Sequence, residues 1–172
     1  VSSAIYRYFA TREALLTAMI VESYGNLASA LPGTQGLSPA AAWRALGRGL
    51  RDWSRSKPHE FQLLYGTPIP DYVAPPETVP AAAAVAEPFL RLAPARPPAT
   101  FADPALAAQF DPLADTYPTA DPAGLAAVLA ELAALIGFVN LELSGHFVGT
   151  ADPADPLFEA LLSRQAATLG LA

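Results

Sequence analysis

Ser2, Ser3, Tyr6 and Arg7 place two hydroxyls, a phenol and a guanidinium close together near the start of the chain. That is the chemistry of DNA contact, where hydroxyls and cations meet phosphate oxygens and a guanidinium can read a base edge. Ile5 and Phe9, four apart, can anchor the opposite face of a short helix and leave those side chains outward. Other chemistries lack their residues. His59 and His146 are the only histidines, and neither has a second ligand at a spacing such as H-E-x-x-H. No glycine-rich phosphate loop and no G-x-S-x-G turn occurs, and there is no cysteine for a thiolate site or disulfide. The expectation is a protein that is not an enzyme, without metal or cofactor.

A chain of 172 residues, 52% hydrophobic and 15% charged, has ample material for a buried core. The net charge of −6 is unevenly spread: residues 1–57 carry +4 and residues 58–172 carry −10. A basic end on an acidic body is what an electrostatic footprint for DNA would look like. The apolar stretches read as broken by Pro, Gly or charge before a membrane-spanning length, and no signal-peptide profile opens the chain. A cytoplasmic protein away from membranes is expected.

The elements that position these residues are all helical. Thr11 can cap a helix over about 11–30, stopped by Leu31-Pro32-Gly33, and Ser38-Pro39 starts another to about Ser56. On that second helix Arg44, Arg48, Arg51 and Arg55 form a basic stripe, read as a solvated face or a DNA-backbone contact. Pro58 opens a short helix to about Tyr65, and Thr67 to Pro76 is a proline-rich connection. An alanine-rich helix follows to about Leu92, kinked by or starting at Pro80. Asp103-Pro104 begins a short helix, Asp121-Pro122 the longest, to about 148, and Asp155-Pro156 the last, to about Leu169. Gly137 and Gly145, placed inside the long helix, suggest a close backbone approach. The last two helices carry wide apolar faces, from Leu125 to Phe147 and from Leu157 to Leu169, and suggest a helix pair that needs a second pair.

The opening stretch, V-S-S-A-I-Y-R-Y-F followed after two residues by R-E-A-L-L, resembles the recognition helix and following helix of the bacterial tetracycline-repressor (TetR) family. H-E-F-Q-L-L-Y-G-T-P-I-P-D-Y from His59 to Tyr72 resembles the WHG-type C-terminal body of a subgroup. So does Ile136 to Phe147, although Ile136 and its predecessors stand where that body's Trp and His are expected, and only Gly137 is retained. The resemblance implies an all-α fold: the remnant of a helix-turn-helix head, residues 1–30 with the connecting helix, and a ligand-binding and dimerisation body, residues 31–172. It implies that two helices belong ahead of Val1. It also implies a homodimer through the last two helices, with the helix after the head passing the state of the body to the DNA.

On that resemblance Ser2, Ser3, Ala4, Tyr6, Arg7 and Tyr8 would face DNA, with Tyr6 and Arg12 on phosphates and Arg7 on a base or the backbone. The implied function is a ligand-responsive transcriptional regulator, usually a repressor released from operator DNA by a small molecule. The alternative is a ligand-binding or scaffolding helical dimer that does not read DNA. For the body, Trp43, Trp53, Phe61, Tyr65, Phe89, Phe101 and Phe138 are candidates to line a cavity, although the tryptophans suit a core equally. Glu142 is a candidate polar anchor if it points inward. Few cations follow residue 57, so a neutral or cationic hydrophobic effector is expected, lying between the helices at 58–65, 80–92 and 121–148.

Overall fold

A computed structural model describes residues 8–171, and its elements are seven α-helices joined by turns and short 3-10 segments, with no strand among the described residues. Ser2, Ser3, Ala4, Tyr6 and Arg7 lie outside the described residues. Tyr8, at 84% exposure, precedes the first helix.

Helix α1 spans Arg12–Ala30 and begins where Thr11 Oγ1 accepts the Ala14 amide at 3.1 Å, with Glu13 in its first turn. Helix α2, Pro39–Ser56, is capped by Ser38 in the same way, and α3, Pro58–Tyr65, follows with a proline in its first turn. Helix α4 is Val79–Leu90, entered through a 3-10 turn at Pro76–Thr78. Pro80 therefore starts α4 rather than interrupting it, and the helix continues through Pro88. Helix α5 is Pro104–Phe110, α6 is Pro122–Leu143 and α7 is Asp155–Thr168. Asp103 and Asp121 cap α5 and α6, each accepting an amide at 2.8 Å.

The long helix stops earlier than its apolar spacing suggests. Ser144 donates its amide back to Asn140, and Gly145 follows at φ 76°, the left-handed conformation that ends helices and suits glycine. Gly137 has nothing within 4 Å of the point its Cβ would occupy, so no close approach within the described chain explains it. Helix α6 is nonetheless 22 residues long with a mean hydropathy of 2.0 over its most apolar window, long and apolar enough to cross a membrane by length and composition. Neither Gly124 nor Gly137 interrupts it, contrary to the expectation from sequence, because glycine lowers helix stability by only about 1 kcal/mol when packing holds the helix. Its apolarity serves the core: α2, α3, α4, α5 and α7 all pack on it, and its buried Glu131 meets Arg164 at 3.0 Å.

The core runs through α2, α6 and α7. Trp43, Leu46, Leu50, Leu125, Leu135, Phe158 and Leu162 are fully enclosed, and α2 crosses α7 at Gly47, where a methyl would stand 2.5 Å from Leu162 Cδ2. Polar groups inside this core are matched. The Trp43 indole N–H donates to Gln165 Oε1 at 3.2 Å, and the Gln165 amide donates to the Glu131 carbonyl at 2.7 Å. The basic stripe on α2 is not continuous on the surface. Arg51 turns inward, only 6% exposed, and donates to both carboxylate oxygens of Glu142 at 2.8 and 2.6 Å and to Asp155 at 3.2 Å, over the Phe158 ring. A bidentate carboxylate makes the burial of a guanidinium tolerable. Arg48, by contrast, stays exposed and pairs with Glu159 at 2.7 Å.

Candidate functional site

Away from that core, a cavity of about 760 Å³ opens between α1, α3, α4 and the connection 66–78, closed on the last side by residues 113–117. On α1, buried positions recur at Thr17, Ile20 and Leu27, and the inward stripe presents Ile20 and Tyr24 to the cavity. On α4 the cavity side is small: Val79, Ala82, Ala83 and Ala86, then Leu90, at helical spacing, while Val85 and Phe89 face the core. Alanines in place of larger side chains leave room that the opposite wall, Leu63 and Leu64 of α3 with Pro68 and Ile69, does not fill. The space exists because of what these positions lack.

The connection 66–78 is shaped by its own chemistry. Ile69-Pro70-Asp71-Tyr72 is a turn closed by the Tyr72 amide donating to the Ile69 carbonyl at 3.2 Å, with proline second and Asp71 third at φ 61°. That is the pattern of a type II turn, whose third position normally takes glycine or asparagine. The turn sets Tyr72 against α1, where its phenol oxygen lies 2.9 Å from Thr17 Oγ1. Thr78 Oγ1 donates to the Pro75 carbonyl at 2.8 Å, which ties down the end of the connection.

Among the described residues no acidic or basic side chain lines the cavity; its polar side chains are hydroxyls, from Tyr24, Thr67, Tyr72, Thr78, Thr116 and Tyr117. Burial raises the Tyr24 phenol above its ordinary value, and Tyr117 is raised by burial and then by the nearby Glu87 carboxylate. Below the cavity wall, Tyr65 is raised further, chiefly by burial and then by Tyr24, whose ring meets it edge-on at 6.0 Å. Burial penalises the charged phenolate, so these rings stay neutral at ordinary pH. Among the described residues no cluster of His, Cys, Asp or Glu has the arrangement to hold a metal ion.

The aromatic residues singled out from sequence are elsewhere. Trp43 and Phe89 meet edge-on at 5.4 Å inside the core, Trp53 is buried, and Phe61 is enclosed against Tyr65 at 5.3 Å. Phe101 sits half-buried against the core, and Phe138 packs between Phe147 at 4.8 Å and Phe158 at 5.4 Å. Glu142 points inward, but to Arg51. None of these eight residues is in the cavity wall, and the long helix does not line it; α1 does instead. Large apolar aromatics gain most by filling the core, and the rings that do line the cavity, Tyr24, Tyr72 and Tyr117, are all tyrosines. The signal that was present is the stripe of alanines on α4 facing a proline-rich connection. Arg12, exposed in the first turn of α1, makes no ion pair among the described residues.

Residues 43–165 match the sequence family described as tetracyclin repressor-like, C-terminal domain, which is most of the body just described. The chain belongs to that family. It is 40% identical over 81 residues to the HTH-type transcriptional regulator Rv1816 of Mycobacterium tuberculosis (strain H37Rv), and equally to Mb1846 of Mycobacterium bovis. Those matches take in 45% of this chain and 35% of either relative, so the matched stretch spans about a third of the length of these curated relatives. A solved structure described as that of a regulatory protein, SCO4313, superposes with a TM-score of 0.78 at 30% identity, covering 97% of this chain and 79% of that one.

Proposed function

We propose that this chain is the effector-binding and dimerising part of a TetR-type transcriptional regulator, a repressor released from operator DNA when a small hydrophobic molecule enters the cavity between α1 and α4. The observation that carries the reading is that α1 forms one wall of the cavity through Ile20 and Tyr24. The same helix begins at Arg12, directly after the segment whose sequence suits DNA contact. A molecule that fills the cavity presses on the helix that bears the head, so differential binding to two tilts of α1 would shift the DNA-competent population. On this reading Ser2, Ser3, Ala4, Tyr6, Arg7 and Tyr8 face the operator, and Arg12 meets a phosphate. The domain division is residues 1–30 for head and connecting helix and 31–172 for the body, and the regulator works in the cytoplasm.

The partner surface is the outer face of α6 and α7. Leu129, Ala133, Gly137 and Leu141 succeed one another every four residues and are exposed, and Leu157 and Ala160 on α7 continue the patch. Such a face is apolar without a partner in the monomer, which suits a two-fold four-helix contact. Val139, on the opposite side of α6, is fully enclosed and belongs to the core.

The test is operator retention by the full-length regulator in a gel-shift titration, with and without uncharged apolar compounds that raise its melting temperature. Release of DNA at the concentrations that stabilise the fold is the expected outcome. Compounds that bind with no change in operator affinity would favour the alternative, a ligand-binding helical dimer that does not read DNA. Leu129→Glu with Leu141→Glu should give monomers in sedimentation; an unchanged dimer mass would place the interface elsewhere.

A further inference from the structure

Of the six hydroxyls in the cavity wall, five are poorly suited to recognise a ligand. Thr78 already donates to Pro75, Thr67 and Thr116 are exposed to solvent, and Tyr117 lies on the side of Glu87 and Arg91, which pair with each other. Tyr24 is fixed through its ring, edge-on to Tyr65, and no hydrogen bond among the described residues orients its hydroxyl. Tyr72 differs. Its phenol is held from behind by Thr17, a side chain only 6% exposed and itself outside the cavity wall, at 2.9 Å. Thr17 lies one turn before Ile20 on the inward stripe of α1, so the pair marks the end of the cavity toward the start of that helix. Two hydroxyls that share one hydrogen bond still hold an unused donor and unused lone pairs between them. Fixing the phenol from behind removes its rotational freedom and makes it a pre-organised contact.

We propose, building on the reading of this cavity as the effector site, that Tyr72 is its specificity-determining residue and Thr17 the residue that positions it. The effector class that follows is an uncharged, mainly apolar molecule carrying one hydrogen-bonding oxygen, a ketone or an alcohol. A bare hydrocarbon leaves the phenol's second site unmatched. A carboxylate meets a wall without a single cation among the described residues. A ligand oxygen on Tyr72 also competes for or extends the bond to Thr17, so it acts on α1 itself rather than on the far wall.

The experiment uses the full chain with N-phenyl-1-naphthylamine, an uncharged fluorescent probe, in the cavity. Four competitors of matched shape displace it: 2-acetylnaphthalene, 1-(2-naphthyl)ethanol, 2-ethylnaphthalene and 2-naphthoate. The ketone and alcohol should displace the probe at about 10-fold lower concentration than the hydrocarbon or the carboxylate, the size of one net hydrogen bond with little lost entropy. Tyr72→Phe should bring ketone, alcohol and hydrocarbon within about twofold of one another while leaving the hydrocarbon's own value unchanged. Thr17→Val should shrink the oxygen preference with probe affinity retained, and Thr17→Ser should restore it, which a purely structural role for Thr17 would not produce. An undiminished preference in Tyr72→Phe, or in a folded Thr17→Val where Tyr72→Phe does not fold, overturns the assignment while the cavity reading stands. Tightest displacement by 2-naphthoate overturns it as well. Failure of the wild-type chain to take up the probe or any competitor overturns the cavity reading itself, and this inference with it.

Discussion

The two halves of the molecule solve opposite problems with similar helices. Where α2, α6 and α7 meet, every large side chain has a place and every buried polar atom a partner: Trp43 with Gln165, Arg51 with Glu142, Glu131 with Arg164. Where α1, α3 and α4 meet, the same chain puts alanines opposite a proline-rich connection and leaves a cavity walled by hydroxyls and aliphatic groups. A domain must keep enough packed interior to stay folded, and only then can a second region remain underfilled. The packed half carries the stability that the cavity half forgoes.

The largest effect should come from breaking the packed half at Arg51. Arg51→Ala leaves Glu142, mostly buried, without its bidentate partner and removes the guanidinium from the face of Phe158. A loss of about 3–5 kcal/mol in urea unfolding at fixed protein concentration is expected for a broken buried pair. Replacing both charges, Arg51→Met with Glu142→Leu, should cost clearly less, because the only charge then left without its partner is Asp155, which is exposed to solvent. A single mutant no worse than the double would mean that water reaches Glu142 and that this half is looser than its packing indicates.

A matched pair of small insertions sharpens the comparison. Gly47→Ala puts a methyl 2.5 Å from a Leu162 methyl, on a side chain fully enclosed in the core, so the neighbour must shift against packed atoms. Overpacking of this kind costs about 1–3 kcal/mol. Ala86→Val adds two methyls on the cavity side of α4, where there is space, and should change stability by no more than about 0.5 kcal/mol. Equal losses from the two substitutions would show that the cavity collapses in solution.

The helix starts were legible in the sequence because capping is local. Thr11, Ser38, Asp103 and Asp121 each accept an amide two or three residues on, as their types indicate and, for the last three, the proline that follows. The end of α6 was misjudged because Phe147 continues the apolar spacing, although Ser144-Gly145 carried the stop. Arg51 read as surface since its stripe is a local pattern, while its partners Glu142 and Asp155 lie 91 and 104 residues away. Most of the aromatics that could line a cavity fill the core, and the rings that do line it are Tyr24, Tyr72 and Tyr117. An empty volume is specified by small residues on facing elements, and pairing those elements requires the fold.

The two halves should also differ in how they respond to pH, with the smallest effects of all. In the packed half, the hydrogen bond from Arg48 holds the Glu159 carboxyl below its ordinary value, with the guanidinium charge adding to it. A depressed carboxyl contributes stability above its unfolded value, and that contribution disappears as pH falls through the folded one. Both side chains are about half exposed, so solvent screens the pair and little is at stake. In the cavity half, burial raises Tyr65 and Tyr24 above a phenol's usual value of about 10. For a group neutral when protonated, a raised folded value contributes stability that is complete below pH of about 10 and vanishes as pH climbs through the folded value. Melting curves at stepped pH should therefore show Glu159→Gln flattening only the acid limb and Tyr65→Phe flattening only the alkaline one. The alkaline change should be the larger, since Tyr65 is partly buried between Phe61 and Tyr24 while Glu159 faces water. If Tyr65→Phe leaves the alkaline limb as steep as in the parent, the phenol already reaches solvent through the cavity. The boundary between a sealed core and an open site would then lie one layer deeper, at Phe61.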